Sequence, residues 1–74
     1  MKHTTISIGL LVRETRKLQR LTQGDLAVVC GTGKRFIVDL ENGKPTCELA
    51  KVLNVVQLLG IEIQLIPPPT VDIE

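Results

Sequence analysis

The sequence predicts an all-α domain of four to five short helices, followed by one short β-strand. Three observations lead to this prediction. Apolar residues recur at helical spacing in four stretches, glycine-containing breaks separate those stretches, and residues 61–66 alternate apolar and polar side chains as a strand does. At 74 residues the chain has the size of one small domain, which buries only about 60% of its unfolded surface and is marginally stable alone.

The first helix is indicated by Ile8, Leu11, Val12 and Thr15, which follow an i, i+3, i+4, i+7 pattern. Ser7 directly precedes them and is the expected N-cap, because a serine hydroxyl accepts a hydrogen bond from a free backbone N–H of the first turn. The opposite face of this helix carries charged residues and is expected to face solvent.

Residues 21–44 predict two short helices joined by a tight turn. Thr22 caps the first of them, and Asp25 three residues later provides the reciprocal partner of a capping box. Gly31-Thr32-Gly33 then breaks that helix, because its two glycines favour a turn.

The second of these helices is expected from about residue 34 to 41. Asn42-Gly43 ends it, since both residues tolerate the left-handed conformation common at helix C-termini. Two short helices with basic residues at the start of the second are typical of a helix-turn-helix motif, whose second helix lies in the major groove of DNA. Its apolar face is Phe36, Ile37 and Leu40, and its outward residues are Lys34, Arg35, Val38 and Asp39.

A fourth helix is predicted after Pro45-Thr46, with Thr46 as its N-cap and Gly60 as its stop. The apolar stripe of this helix is wider than one small core needs. A plain buried helix is one interpretation, but surplus apolar surface in so short a chain favours a partner interface. The stripe is Leu49, Val52, Leu53, Val56 and Leu59, and the residues that widen it are Ala50, Val55 and Leu58.

Residues 61–66 predict a strand with Ile61, Ile63 and Leu65 on one side. A lone strand leaves its N–H and C=O groups unpaired and therefore needs a partner. The same strand of a second copy, antiparallel across a twofold axis, is the simplest one and predicts a homodimer. Three prolines follow at 67–69, so the domain is expected to span residues 1–66 with 67–74 as a flexible tail.

Composition limits the function. The net charge of +1 means that DNA binding depends on where the charges lie. Cys30 and Cys47 fall on apolar helix faces, where two small buried hydrophobic residues are favoured over a disulfide, in keeping with a reducing cytoplasm. The absence of a long apolar run and of a signal peptide predicts a cytoplasmic, nucleoid-associated protein. Lacking a nucleophile with a base, metal-ligand spacing or a phosphate-binding glycine loop, the sequence predicts neither an enzyme nor a cofactor.

Three stretches carry a resemblance to a known family: TQ at 22–23, DLA at 25–27 and DLENGK at 39–44. In their spacing they resemble the lambda-repressor-like (XRE-family) helix-turn-helix proteins, and the layout of roughly residues 8–67 is similar to HipB-type antitoxins. The resemblance implies a homodimeric repressor that binds a palindromic operator. Arg20 departs from the pattern, since glycine commonly ends the first helix there, so a strained backbone or a different helix end is expected.

The resemblance also implies the site residues. Lys34 and Arg35 would meet base edges, where Arg or Lys suits guanine O6 and N7, and Asp39 would accept from a cytosine amino group. Solubility is the alternative role for Lys34 and Arg35, and capping alone also explains Thr22. In the family a matching arginine pairs with the glutamate that closes the second helix of the motif, which predicts an Arg16–Glu41 pair close to a phosphate. The expected contacts to the DNA backbone are Thr22, Gln23, Asn42, Lys44 and Arg16.

Three functions remain open on the sequence alone. The first is a DNA-binding repressor that is also the antitoxin of a HipA-type Ser/Thr-kinase toxin. The second is a stand-alone repressor of the phage or plasmid type. The third is a protein-interaction module that keeps the fold without binding DNA. In the first case, the 70–74 tail and the outer surface of the fourth helix are the expected contacts with the toxin.

Overall fold

The computed structural model describes residues 4–69, and within them the chain forms four helices and no strand. The predicted all-α fold is therefore confirmed. The helices are α1 (Thr5–Leu18), α2 (Gln23–Cys30), α3 (Lys34–Glu41) and α4 (Leu49–Leu58). Residues 61–69 lack regular secondary structure. A strand is defined by hydrogen bonds to a neighbouring strand. Residues 61–66 have no such neighbour within the described part of this single chain, so their pairing with a second copy stays a prediction. The tail at 70–74 lies outside the described residues.

Helix α1 begins earlier than the sequence analysis predicted, and Ser7 is not its N-cap. Thr4 occupies that position: its hydroxyl accepts from the Ser7 N–H at 3.1 Å, and the Thr4 N–H donates to Ser7 Oγ at 2.8 Å. Threonine, like serine, has a hydroxyl that can cap a helix, and Thr4 lies three residues upstream of Ser7. Ser7 then completes a capping box, so the helix gains most of a turn.

Helices α2 and α3 have the predicted bounds. The end of α2 is set by Gly31, whose φ of 68° is the left-handed conformation that glycine adopts without strain. The end of α3 differs in detail, because Asn42 keeps right-handed helical angles and Gly43 alone is left-handed, at φ 79°. Two alternatives were expected at Arg20, a strained backbone or a different helix end; its φ of 60° shows that the strained backbone is the one that occurs.

The prediction that Thr46 caps α4 is wrong. The helix starts at Leu49, with Glu48 in the N-cap position and no hydrogen bond from its side chain. Residues 45–46 form a turn instead. Because Cys47 packs against the core from the irregular segment that follows this turn, the helical backbone starts only after it.

The core lies where all four helices meet. Its buried side chains are Val12, Leu26, Ala27, Ile37, Leu40, Val55, Val56 and Leu59. Cys30, Cys47 and Phe36 are half-buried against this core, and both cysteines are free thiols, as the favoured interpretation predicted.

Three apolar residues lie elsewhere than predicted. Leu11, Leu49 and Leu53 are 51%, 68% and 41% exposed, although the helical patterns assigned them to apolar core faces. Val55, assigned to the surplus of α4, is instead part of the core. The reason is that α1 and α4 each contact the core through only one narrow face. The surplus apolar surface predicted for α4 therefore exists, but it consists of Leu49, Leu53 and Leu58.

Gly9, which the sequence analysis did not single out, sets how closely α1 approaches the end of α3. A Cβ atom at Gly9 would lie 2.8 Å from the carbonyl oxygen of Glu41 and would also meet that of Leu40. At Gly43 a Cβ atom would lie 2.8 Å from the Cα of Ile6. Since real Cβ atoms essentially never approach backbone so closely, both positions require glycine.

Candidate nucleic-acid interface

The turn between α2 and α3 places the start of one helix beside the end of the other. Thr22 caps α2 by accepting from the Asp25 N–H at 2.9 Å, and Asp25 accepts from the Thr22 N–H at 3.0 Å. The predicted capping box is therefore confirmed. It fixes Gln23 as the first residue of α2, where free backbone N–H groups and the positive end of the helix dipole favour an anion.

A buried network joins three helices behind this surface. The guanidinium of Arg16 donates from Nε to Glu41 Oε2 at 2.6 Å and from Nη2 to Glu41 Oε1 at 3.1 Å. Its Nη1 donates to the Leu21 carbonyl at 2.7 Å, and the Gln23 amide donates to Glu41 Oε1 at 3.0 Å. The Arg16–Glu41 pair predicted from the resemblance is confirmed, and Glu41 also fixes the side chain of Gln23.

The exposed side of α3 carries a second, smaller cluster. Lys34 and Arg35 project into solvent from the first turn. One turn further on, Asp39 Oδ1 lies 3.2 Å from Arg35 Nε, and Asp39 Oδ2 lies 3.4 Å from Lys44 Nζ. The structure therefore brings together three of the predicted contacts, Arg35, Asp39 and Lys44.

The remaining predicted contacts lie around these two clusters. Thr22 and Asn42 are exposed, at the start of α2 and after the end of α3, and Gln23 is half-buried. Arg16 is the exception, because its side chain is only 9% exposed and all three of its nitrogens are engaged within the protein. A guanidinium has five N–H groups, so two of them make no hydrogen bond within the described residues.

Two contacts around this surface were missed by the sequence analysis. The bridging position of Asp39 could have been found, because opposite charges at Arg35 and Asp39 have the i, i+4 spacing of helical ion pairs. The contact of Lys51 Nζ with the Phe36 ring, 5.8 Å from its centroid, joins α4 to α3 and had no local signal in the sequence. Phe36 also packs against the core, in keeping with its predicted place on the apolar face of α3.

Two ionisable groups near the motif have shifted pKa values. Hydrogen bonds from the backbone and hydroxyl of Thr22 lower the pKa of Asp25 below its ordinary value of 3.8. Burial at the end of α2 raises the pKa of the Cys30 thiol, which keeps it protonated. Asp25 is therefore a charged cap at neutral pH, and Cys30 acts as a small apolar residue.

Residues 4–69 contain no group of three or more His, Cys, Asp or Glu side chains arranged to hold a metal ion. None of the helices in this range is long and apolar enough to cross a membrane. The buried side-chain polar atoms in the described part of the chain all have hydrogen-bond partners.

Two short helices joined by a glycine turn, the first of them capped by Thr22 and the second starting with exposed cations, define a helix-turn-helix protein. A family model described as Helix-turn-helix (HTH_3) matches residues 12–66, and the chain belongs to this family. The resemblance stated from the sequence is thus confirmed, and the chain is a helix-turn-helix transcriptional regulator rather than a member of an enzyme family.

One relative supports this assignment, and two solved structures share the fold. The chain is 55% identical over 65 residues to the uncharacterized HTH-type transcriptional regulator y4mF of Sinorhizobium fredii, covering 88% of this chain and 86% of the relative. Its fold is similar to those in a HipB–O4 20mer complex and a HipA–HipB–O2–O3 complex. Each match has a TM-score of 0.79 at 19% identity and covers 93% of this chain and 97% of the other. At that identity the likeness shows the fold alone.

Proposed function

We propose that the protein is a sequence-specific DNA-binding repressor that binds a palindromic operator as a homodimer, with α3 as the helix that reads base edges. The observation that supports this most strongly is the placement of Lys34 and Arg35. Both are exposed at the first turn of α3, and the side chain of Arg35 is 83% exposed. Because Glu41 ties the other end of α3 to α1 and α2, the two cations project from a helix held in place.

The contacts divide between bases and phosphates. Lys34 and Arg35 meet base edges, and Thr22, Gln23, Asn42 and Lys44 meet the backbone. Gln23 donates one amide N–H to Glu41 and has a second for a phosphate. Arg16 holds Glu41, which orients Gln23, and its own contact with a phosphate stays a prediction.

The test of DNA binding is selection of an operator from random duplex DNA, followed by fluorescence anisotropy. Arg35→Ala and Lys34→Ala should each cost about 1–3 kcal/mol per half-site and relax specificity at one base pair. Gln23→Ala should weaken binding to all sequences alike. Lys17→Ala is the matched control, since it removes one exposed positive charge from α1. Intact affinity and intact sequence preference in both α3 variants would refute the groove assignment.

The homodimer is proposed on the segment after α4. Ile63, Leu65 and Ile66 are 46%, 90% and 82% exposed, so three large apolar side chains within four residues face solvent. The Ile61 N–H donates to the Val56 carbonyl, but residues 62–66 make no further backbone hydrogen bond within the described part of the chain. Antiparallel pairing of this segment with its copy, through Ile61, Ile63 and Leu65, satisfies those groups and covers the side chains.

Sedimentation equilibrium at micromolar concentration tests the dimer. The expected mass is twice the 8.1 kDa of one chain. Ile63→Pro should remove ladder hydrogen bonds in both copies and give monomer or unfolded chain, whereas Ile63→Val, which keeps the strand propensity, should leave the dimer intact. A stable monomer of the unmodified protein would contradict both the dimer and the palindromic operator.

We further propose a partner, a HipA-type Ser/Thr-kinase toxin for which this protein is the antitoxin. Its support is the fold shared with HipB in a HipA–HipB complex, together with Leu49, Leu53 and Leu58, which leave α4 with exposed apolar surface. Co-expression with a neighbouring kinase-like gene should give a complex that co-purifies. Truncation after Ile66 should weaken that complex and leave operator binding near normal. If the truncated protein holds its partner equally well, the contact lies on the helices.

The two alternatives have distinct outcomes. A stand-alone repressor would bind its operator in a genome without a kinase-like gene beside it. A pure protein-interaction module would fail to enrich any sequence from random duplex DNA.

A further inference from the structure

Asp39 lies between two cations. Its Oδ1 is 3.2 Å from Arg35 Nε, and its Oδ2 is 3.4 Å from Lys44 Nζ. The Lys44 N–H also donates to the Asp39 carbonyl at 3.0 Å. Both carboxylate oxygens are therefore engaged, and Lys44 is held to Asp39 through its main chain as well as its side chain.

The three side chains differ in how far they reach into solvent. Arg35 is 83% exposed and Lys44 53%, whereas Asp39 is 16% exposed. A side chain that reads a base edge must extend beyond its neighbours, as Arg35 does. To accept from a cytosine amino group, Asp39 would have to leave both cations and bring an unpaired negative charge towards the phosphates, which repel it.

The ion pair also distinguishes the two edges of the Arg35 guanidinium. Nε is the nitrogen that lies 3.2 Å from Asp39 Oδ1, and the two terminal nitrogens make no hydrogen bond within the described residues, so their four N–H groups stay free. That end of the planar fork matches the two acceptors of guanine, O6 and N7, in the major groove. An ion pair one turn away also restricts a long, otherwise mobile side chain to fewer rotamers.

We infer that Asp39 is a positioning residue, which orients Arg35 to read guanine and holds Lys44 near a phosphate, and that it does not read a base itself. This replaces the cytosine contact that the sequence predicted for Asp39. The inference rests on the proposed function, since it assigns guanine to the base pair that α3 reads through Arg35.

A double-mutant cycle tests it. Arg35→Ala, Asp39→Asn and the double variant are titrated by anisotropy with the selected operator and with operators in which each base pair facing α3 is replaced in turn. The unmodified protein should prefer guanine at one position by about 5- to 150-fold. Asp39→Asn should reduce that ratio about two- to fivefold, the effect expected of an exposed ion pair, and should add nothing once Arg35 is alanine.

Two further variants separate positioning from charge and folding. Asp39→Glu keeps a carboxylate at i, i+4 and should restore part of the guanine preference. Glu14→Gln removes one exposed negative charge from α1 and should raise affinity for all sequences without changing the ratio. Melting temperatures should stay close to that of the unmodified protein, because the Arg35 end of the pair is exposed.

The inference is overturned if Asp39→Asn leaves the guanine ratio unchanged. It is also overturned if the Asp39→Asn effect persists in the Arg35→Ala background at a cytosine, because Asp39 would then read that base directly and the proposed function would stand. A protein that enriches no DNA sequence at all would instead refute the proposed function.

Discussion

Replacing Glu41 with leucine should destabilise the fold far more than any surface charge change. The carboxylate of Glu41 accepts two hydrogen bonds from Arg16 and one from Gln23. Leucine has a similar volume but no acceptor, so the guanidinium of Arg16 would keep its charge in a buried site, with only the Leu21 carbonyl as a partner. The resulting cost is the desolvation of an unpaired charge.

The magnitude follows from burial. The side chains of Arg16 and Glu41 are 9% and 2% exposed, and breaking such a pair on one side costs about 3–5 kcal/mol. A domain of this length has a free energy of unfolding of about 4–11 kcal/mol, so the change is a large fraction of the total. By contrast, Lys51 and Glu48 lie 3.8 Å apart with side chains 55% and 65% exposed, where removal of one partner costs about 0.2–1 kcal/mol.

Urea unfolding followed by circular dichroism measures this difference, at one fixed protein concentration because the proposed dimer would add to stability. Glu48→Leu is the control. The double variant Arg16→Met with Glu41→Leu should regain much of the stability, since it removes both charges together. A loss below about 1 kcal/mol for Glu41→Leu would show that the network contributes little, and the reasoning from burial would be wrong.

Three further predictions concern other positions. Gly9→Ala should lower the free energy of unfolding by about 1–3 kcal/mol in a denaturant melt, because the new Cβ meets the carbonyl of Glu41. Alanine normally favours a helix interior, so an increase in that free energy would contradict the close approach of α1 to α3. Arg20→Gly should raise it by about 0.5–1 kcal/mol by relieving the φ of 60°, and a neutral result would show no strain. The lowered pKa of Asp25 adds stability that is present above its unfolded-state pKa and is lost as pH falls through the lower folded-state value. Asp25→Asn should therefore flatten the decline of stability with acid, and an unchanged pH profile would count against the cap.

Much of the motif follows from local sequence. The bounds of α2 and α3 depend on Thr22, Asp25 and the glycine turn, and these act within a few residues of themselves. The Arg16–Glu41 pair, 25 residues apart, was reached through family resemblance, because nothing in the local pattern joins those positions.

The parts that were mispredicted depend on tertiary packing. Periodicity assigns Leu11 and Leu49 to apolar faces but cannot tell how wide a face its neighbours cover, and both are exposed. From the sequence alone, Gly9 only lowers the helix propensity of α1. Its role becomes visible when the structure places the carbonyl groups at the end of α3 beside it. Thr46 and Glu48 compete for the start of α4, and the packing of Cys47 decides between them. Ile37 and Leu40 are buried as predicted, because helical spacing and the helix boundaries on either side both indicate the same apolar face.

The contrast between the two ends of α3 has a consequence for motion. At its C-terminal end, Glu41 is fastened to two other helices, whereas at its N-terminal end Gly33 offers no side-chain hydrogen bond to the first turn. Local opening should therefore begin at residues 34–36, and amide hydrogen exchange there should outpace that at 38–41. The residues proposed to face DNA would then lie on the turn that frays most readily, and operator binding should slow exchange there more than anywhere else in α3.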